Sequence, residues 1–372
     1  MPSMVNNWQP PAGLLDAVGG QPVSAAATSA MAAAAHAWAD PKALHHAGRQ
    51  AGALLAAARS SLAQSLSAAA GTKIGADEIY FTPSVREAQA LALAGYPGAL
   101  VMSAVETTTL LDLGTSHPRS QLVGVDPLGR IDPAEFHLAA AGKALAALQL
   151  ANTEVGTCQP VAQVATADAN LPILMDASQG LGRIPLPDGW SILTAGACDW
   201  AGPAGVAILV IRRGVHWVPP LNSGNGLLGG FTDIPGAVGA ATALAELVYE
   251  QATSSEQAFA KIDLLRAGIA NKISDVEVLG DPVWRLPHIL TFSVLYVSGE
   301  ALVIELDRRG FAVASGSACV ADEARPSHVL AAMGAYTGGN IRISLPLGCT
   351  TETVVDFLDV LPDAVAAVRA DI

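Results

Sequence analysis

Pro172-Ile-Leu-Met-Asp176-Ala-Ser-Gln179 is a compact apolar run closed by an acid and an amide. Runs of the same kind stand before it, at Glu78-Ile-Tyr-Phe-Thr82, Ala99-Leu-Val-Met102, Gln121-Leu-Val-Gly-Val125 and Ala147-Leu-Gln-Leu-Ala151. Gly205-Val-Ala-Ile-Leu-Val-Ile211 follows it. Short apolar runs without alternation are strands covered on both faces. Segments at helical spacing separate them, at residues 47–69, 86–94 and 107–113. Strands alternating with helices predict an α/β fold with a mainly parallel sheet. Beyond about residue 250 the pattern changes. A long helical stretch, 251–273, leads into strand-like segments at 289–297 and 341–345, mixed with helices at 299–309, 327–333 and 351–370. This predicts a smaller α+β domain at the C-terminal end.

The chain has 372 residues, 51% of them apolar and 14% charged, which excludes intrinsic disorder. Its net charge of −13 repels phosphate backbones and anionic lipid, so nucleic acid and membrane surfaces are excluded as partners. No apolar run approaches the ~18 residues of a membrane span. Residues 1–11 lack a basic region followed by an apolar core, so they do not read as a secretory signal. Cys158, Cys198, Cys319 and Cys349 have no metal-finger spacing. They predict free thiols in a reducing, cytoplasmic setting and no metal site.

In open α/β sheets, ligands sit beyond the carboxyl ends of the strands. Asp176 lies there, as a ligand anchor, for instance to a protonated ring nitrogen, or as the N-cap of a following helix. Ala314-Ser-Gly-Ser-Ala-Cys319 is a small-residue loop ending in a thiol, either a nucleophile or a buried structural cysteine. Arg342, in Asn340-Ile-Arg-Ile-Ser344, suits a carboxylate ligand or an interdomain ion pair.

These segments resemble the cysteine desulfurases of the class V aminotransferase group, which have the fold type I architecture of pyridoxal phosphate (PLP)-dependent transferases. The match runs through Asp40-Pro-Lys-Ala-Leu-His45, Glu78–Thr82, Asn152-Thr-Glu-Val-Gly156, Asp176–Gln179 and Gly202-Pro-Ala-Gly205. It continues through Leu286-Pro-His-Ile-Leu290, Gly299-Glu-Ala-Leu302, Ala314–Cys319, Pro326-Ser-His-Val-Leu330 and Ile341-Arg-Ile-Ser-Leu345. The resemblance implies a large domain over 16–256 with a sheet of the seven-stranded type, and a small domain from 1–15 and 257–372. It implies PLP held as an imine on a lysine, sulfur carried on Cys319 and substrate carboxylate on Arg342. Asp176 would face the pyridine nitrogen and Gln179 the ring hydroxyl. A homodimer is implied, as is a sulfur acceptor or cluster-assembly protein as partner.

The chain departs from the family where the cofactor is held. The lysine position carries Asp199, in Gly196-Ala-Cys-Asp-Trp200, and a carboxylate cannot form an imine. The ring-stacking histidine falls at Thr107, which has no π-face. The phosphate-cradling segment reads Ser84-Val-Arg86, the asparagine after the sixth strand reads Thr153, and the Gly-Thr that crosses the dimer reads Gly230-Phe231. Arg86 still suits an anion. The expectation is a degenerate desulfurase with PLP absent or at most non-covalent, carrying sulfur or assisting a competent partner. The alternative is an active enzyme using non-covalent PLP or acid/base chemistry between Asp176 and Asp199. Arg86, Arg342, a backbone amide or a cation is expected to relieve those two carboxylates.

Overall fold

A computed structural model describes residues 12–220, 233–316 and 326–370. Seven strands form one sheet: β1 (Ile79–Thr82), β2 (Leu100–Ser103), β3 (Gln121–Val123), β4 (Leu145–Ala147), β5 (Ile173–Asp176), β6 (Ile192–Gly196) and β7 (Ala207–Ile211). Their order is β1-β7-β6-β5-β4-β2-β3, and β7 alone runs against its neighbours. Every residue of β5, β6 and β7 is buried, as a sheet covered on both faces requires. The strand predicted over 147–151 begins earlier, at Leu145–Ala147, and the chain continues beside β5 beyond it, with Leu148 N donating to Leu174 O at 3.0 Å and Leu150 N to Asp176 O at 2.8 Å.

Helices α1 (Ala25–Ala34), α2 (His46–Ala70), α3 (Val85–Ala94), α4 (Thr108–Thr115), α5 (Pro133–Ala140) and α6 (Val161–Ala167) accompany the sheet. His45 caps α2 by accepting from Gly48 N at 3.2 Å, and Gly71 closes it in the left-handed region at φ 61°. Helix α7 (Ile234–Lys272) has 39 residues and spans roughly 58 Å at ~1.5 Å per residue. It packs on α1 and α2 at one end, and reaches the second sheet at the other through Ile262, Leu265 and Ile269.

That second sheet has three antiparallel strands in the order β10-β9-β8: β8 (Val276–Leu279), β9 (Ile289–Val294) and β10 (Asn340–Ser344). Helices α8 (Gly299–Arg308), α9 (His328–Met333) and α10 (Thr351–Ala370) complete the C-terminal part. Leu15 is fully buried in its core, and the N-terminal segment bridges to it at Leu14 with Ala312 and at Asp16 with Ser344. Among the described residues no helix is long and apolar enough to cross a membrane, and no cluster of three His, Cys, Asp or Glu could hold a metal.

Candidate functional site

Strand β6 ends at Gly196, and the chain then makes a single tight turn, Ala197–Trp200, that carries Asp199. Two features fix this turn. Ala201 adopts φ 61°, and Trp200 is fully buried with its indole N–H donating to Ala240 O of α7 at 3.0 Å. A Cβ at Gly196 would lie 2.9 Å from Asp199 Oδ2 and 3.0 Å from Val85 Cγ2, so glycine leaves room for the carboxyl to fold back over the strand end.

Asp199 faces a cavity of about 220 Å³ beyond the ends of β5 and β6, lined also by Arg86, Gln89, Thr107, Thr153, Asp176 and Gln179. The structure thus gathers six sequence-predicted residues at one place: Asp176, Gln179, Asp199, Arg86, Thr107 and Thr153. Asp176 is buried. Its Oδ1 accepts from Ser178 N at 3.0 Å and Ser178 Oγ at 2.6 Å, and its Oδ2 accepts from Gln89 Nε2 at 3.0 Å. No helix follows it among the described residues, so the N-cap alternative is set aside for an Asx turn. Gln179 Nε2 donates to Asp199 Oδ1 at 2.6 Å. His288 Nε2 lies 3.3 Å from Gln179 Oε1, which only accepts, so that nitrogen carries the proton. Burial and nearby Arg183 hold His288 well below the usual histidine range, and it stays neutral. A directed chain therefore runs from His288 through Gln179 to Asp199.

Burial, reinforced by the Asp176 charge, pushes the Asp199 carboxyl up from 3.8 to about 7. Burial raises Asp176 as well, against its hydrogen bonds from Ser178 and Gln89. The groups that relieve Asp199 are Arg183, the Gln179 amide and the Gly196 backbone. Arg86 and Arg342 do not take the relieving role expected of them. Arg86 is exposed, while Arg342 Nη2 donates to Asp16 Oδ1 at 3.0 Å. Arg342 sits on β10 and lies outside the lining of the Asp199 cavity. Thr107 Oγ1 accepts from Leu110 N at 3.3 Å as the N-cap of α4. Asn152, beside Thr153, shapes its turn by accepting from Glu154 N and Val155 N, both at 2.9 Å. Cys319, Gly230 and Phe231 lie outside the described residues.

Several polar residues at the site went unread in the sequence. Gln89 looks like an ordinary polar position of a helix, yet it is 1% exposed with Oε1 unpartnered. Glu106 is fully buried, accepts from Gln149 N at 3.0 Å, and is raised well above the carboxylate range by burial. Its only sequence signal is a position next to Thr107. Glu154 Oε2 accepts from Ser327 Oγ at 2.7 Å, linking the turn after β4 to the start of α9.

The family model for aminotransferase class-V matches residues 21–357. A cysteine desulfurase of Cereibacter sphaeroides is 34% identical, over 89% of both chains. An IscS-like cysteine desulfurase of Mycobacterium tuberculosis is 32% identical, over 95% of this chain and 96% of the other. Among solved structures, a NifS-like protein superposes with a TM-score of 0.85 at 25% identity, over 95% of this chain and 99% of that one.

Proposed function

This chain belongs to the aminotransferase class-V family, and from that premise we propose a cysteine-desulfurase-like protein that no longer holds its cofactor covalently. The family is PLP-dependent, and a lysine-held PLP does not fit the donor set of this cavity. Asp199, at the lysine position, carries no amine and is already bonded to Gln179. None of the five lysines lines the cavity. No aromatic or imidazole ring lines it either, and the Thr107 hydroxyl is turned to Leu110 N. Asp176, the acid that would face a pyridine nitrogen, is already hydrogen-bonded by Gln89 and Ser178, and burial raises its carboxyl. The observation that carries the proposal is the Gln179–Asp199 hydrogen bond at the family's lysine position.

The proposed role is sulfur carriage on Cys319, or partnership with a competent desulfurase or cluster-assembly protein, by a homodimer. The proposed division remains 16–256 against 1–15 with 257–372, with residue 256 inside the continuous helix α7. One observation favours a second role, acid/base chemistry in the same cleft: Asp199 is pushed to about 7, beside Asp176. A carboxyl poised near neutrality suits proton transfer. Sulfide release from cysteine tests the main proposal. The chain supplied with PLP should release none above the uncatalysed background, and the single variant Asp199→Lys should release none either, since Thr107 and Arg86 are unchanged. Robust release by either protein would overturn it.

A further inference from the structure

A second cavity, of about 120 Å³, lies between α7 and the turn that follows β10. It shares no lining residue with the Asp199 cavity. Arg183, Lys261, Ser254 and Gln257 supply its polar side chains, with Gly348 and Cys349 on the turn. No carboxylate lines it. In a chain of net charge −13, two cations converging on one small space without an acid are unusual.

Arg183 is 5% exposed. Its guanidinium has one weak protein acceptor, Gln21 Oε1 at 3.4 Å from Nη2, and its Nε is buried without a partner. Lys261 makes no ion pair or hydrogen bond among the described residues, and burial leaves the neighbouring Cys349 thiol raised and neutral. Burial lowers Arg183 only to about 10, so it remains charged at neutral pH. A buried charge is costly unless it is paired and hydrogen-bonded. Asp199 acts on Arg183 through the field but forms no ion pair with it among the described residues.

We propose that this cavity binds a small tetrahedral oxyanion of the phosphate or sulfate class, held by the Arg183 guanidinium and the Lys261 ammonium. A guanidinium fork offers such an ion parallel N–H donors, and the ammonium adds a point charge. The hydroxyl of Ser254 and the amide of Gln257 line the same space. The volume of about 120 Å³ is enough for one such ion. The ion would join α7, the turn after β5 and the turn after β10 through one charge.

Calorimetric titration of the full chain with inorganic phosphate, at near-neutral pH and constant ionic strength, tests this. The expected result is saturable single-site binding. Lys261→Ala should weaken it about tenfold or more, the size of one lost charge-assisted hydrogen bond. Lys261 is half-buried and unpaired, so that variant should fold even if Arg183 substitutions do not. Lys73→Ala, at an exposed lysine outside both cavities, should leave phosphate binding unchanged. Absence of saturable binding, an unchanged Kd in Lys261→Ala, or loss of binding in Lys73→Ala would each overturn the proposal. None of these outcomes depends on whether PLP binds.

Discussion

Replacing Asp199 by Asn should stabilise the protein above neutral pH. Asn keeps an oxygen that can accept from Gln179 Nε2, so the 2.6 Å contact survives while the charge is removed. In the folded chain the Asp199 carboxyl is pushed up from 3.8 to about 7. A raised folded value means that the native state holds the proton more tightly than the unfolded chain. The contribution is therefore fully present below about pH 4 and is lost as the pH rises through about 7. Roughly three pH units at ~1.4 kcal/mol each give about 4 kcal/mol for a fully buried group. Asp199 keeps part of its surface in water, so about half of that, ~2 kcal/mol, is expected. Urea denaturation of both proteins between pH 5 and 9 measures it. The wild type should lose stability across that range relative to Asp199→Asn, with the variant ahead at the alkaline end. A variant less stable than the wild type at pH 8 would refute this account of the buried charge.

Trp200→Ala should cost about 3–5 kcal/mol, because it empties a fully buried site and removes the bond that ties the Asp199 turn to Ala240; denaturant midpoints measure it. Burial pushes Cys158 up to about 12 and raises Cys349, while desolvation and the Asp199 charge push the solvent-reaching Cys198 to about 11, so these thiols should react slowly near neutral pH. Sulfur carriage on Cys319 requires that residue to be labelled first in the native protein. Mass-spectrometric mapping that finds it no faster than the other three removes the carrier role.

Strand β5, which carries Asp176, and strand β7 were legible as short apolar runs. Ile173-Leu-Met175 and Ala207–Ile211 are apolar throughout, and polar or turn residues mark their ends. Helix α1 was not legible. Its sequence, Ala25-Ala-Ala-Thr-Ser-Ala-Met-Ala-Ala-Ala34, offers no contrast between faces, and only Ala27 and Ala34 are buried. Strand β6 was missed because Ile192-Leu-Thr-Ala-Gly196 runs into the small residues of the next turn without a break. At the site, Asp176 and Gln179 could be read from their place at the end of a strand, and Asp199 from the resemblance, as the residue at the family's lysine position. Gln89 and Arg183 could not, because their roles arise only when α3 and the turn after β5 close against the sheet ends. For Arg342 the sequence offered a carboxylate ligand or an interdomain ion pair, and it pairs with Asp16, 326 residues away in the chain.

The visible absorption spectrum of the protein, incubated with PLP and then dialysed, bears most directly on the loss of the covalent cofactor. With Asp199 at the lysine position and no lysine lining the cavity, the dialysed protein should be colourless, and borohydride should fix no pyridoxyl group on a peptide of the cleft. A persistent yellow protein, with a borohydride-stable pyridoxyl adduct mapped to a lysine at that cleft, would contradict the account.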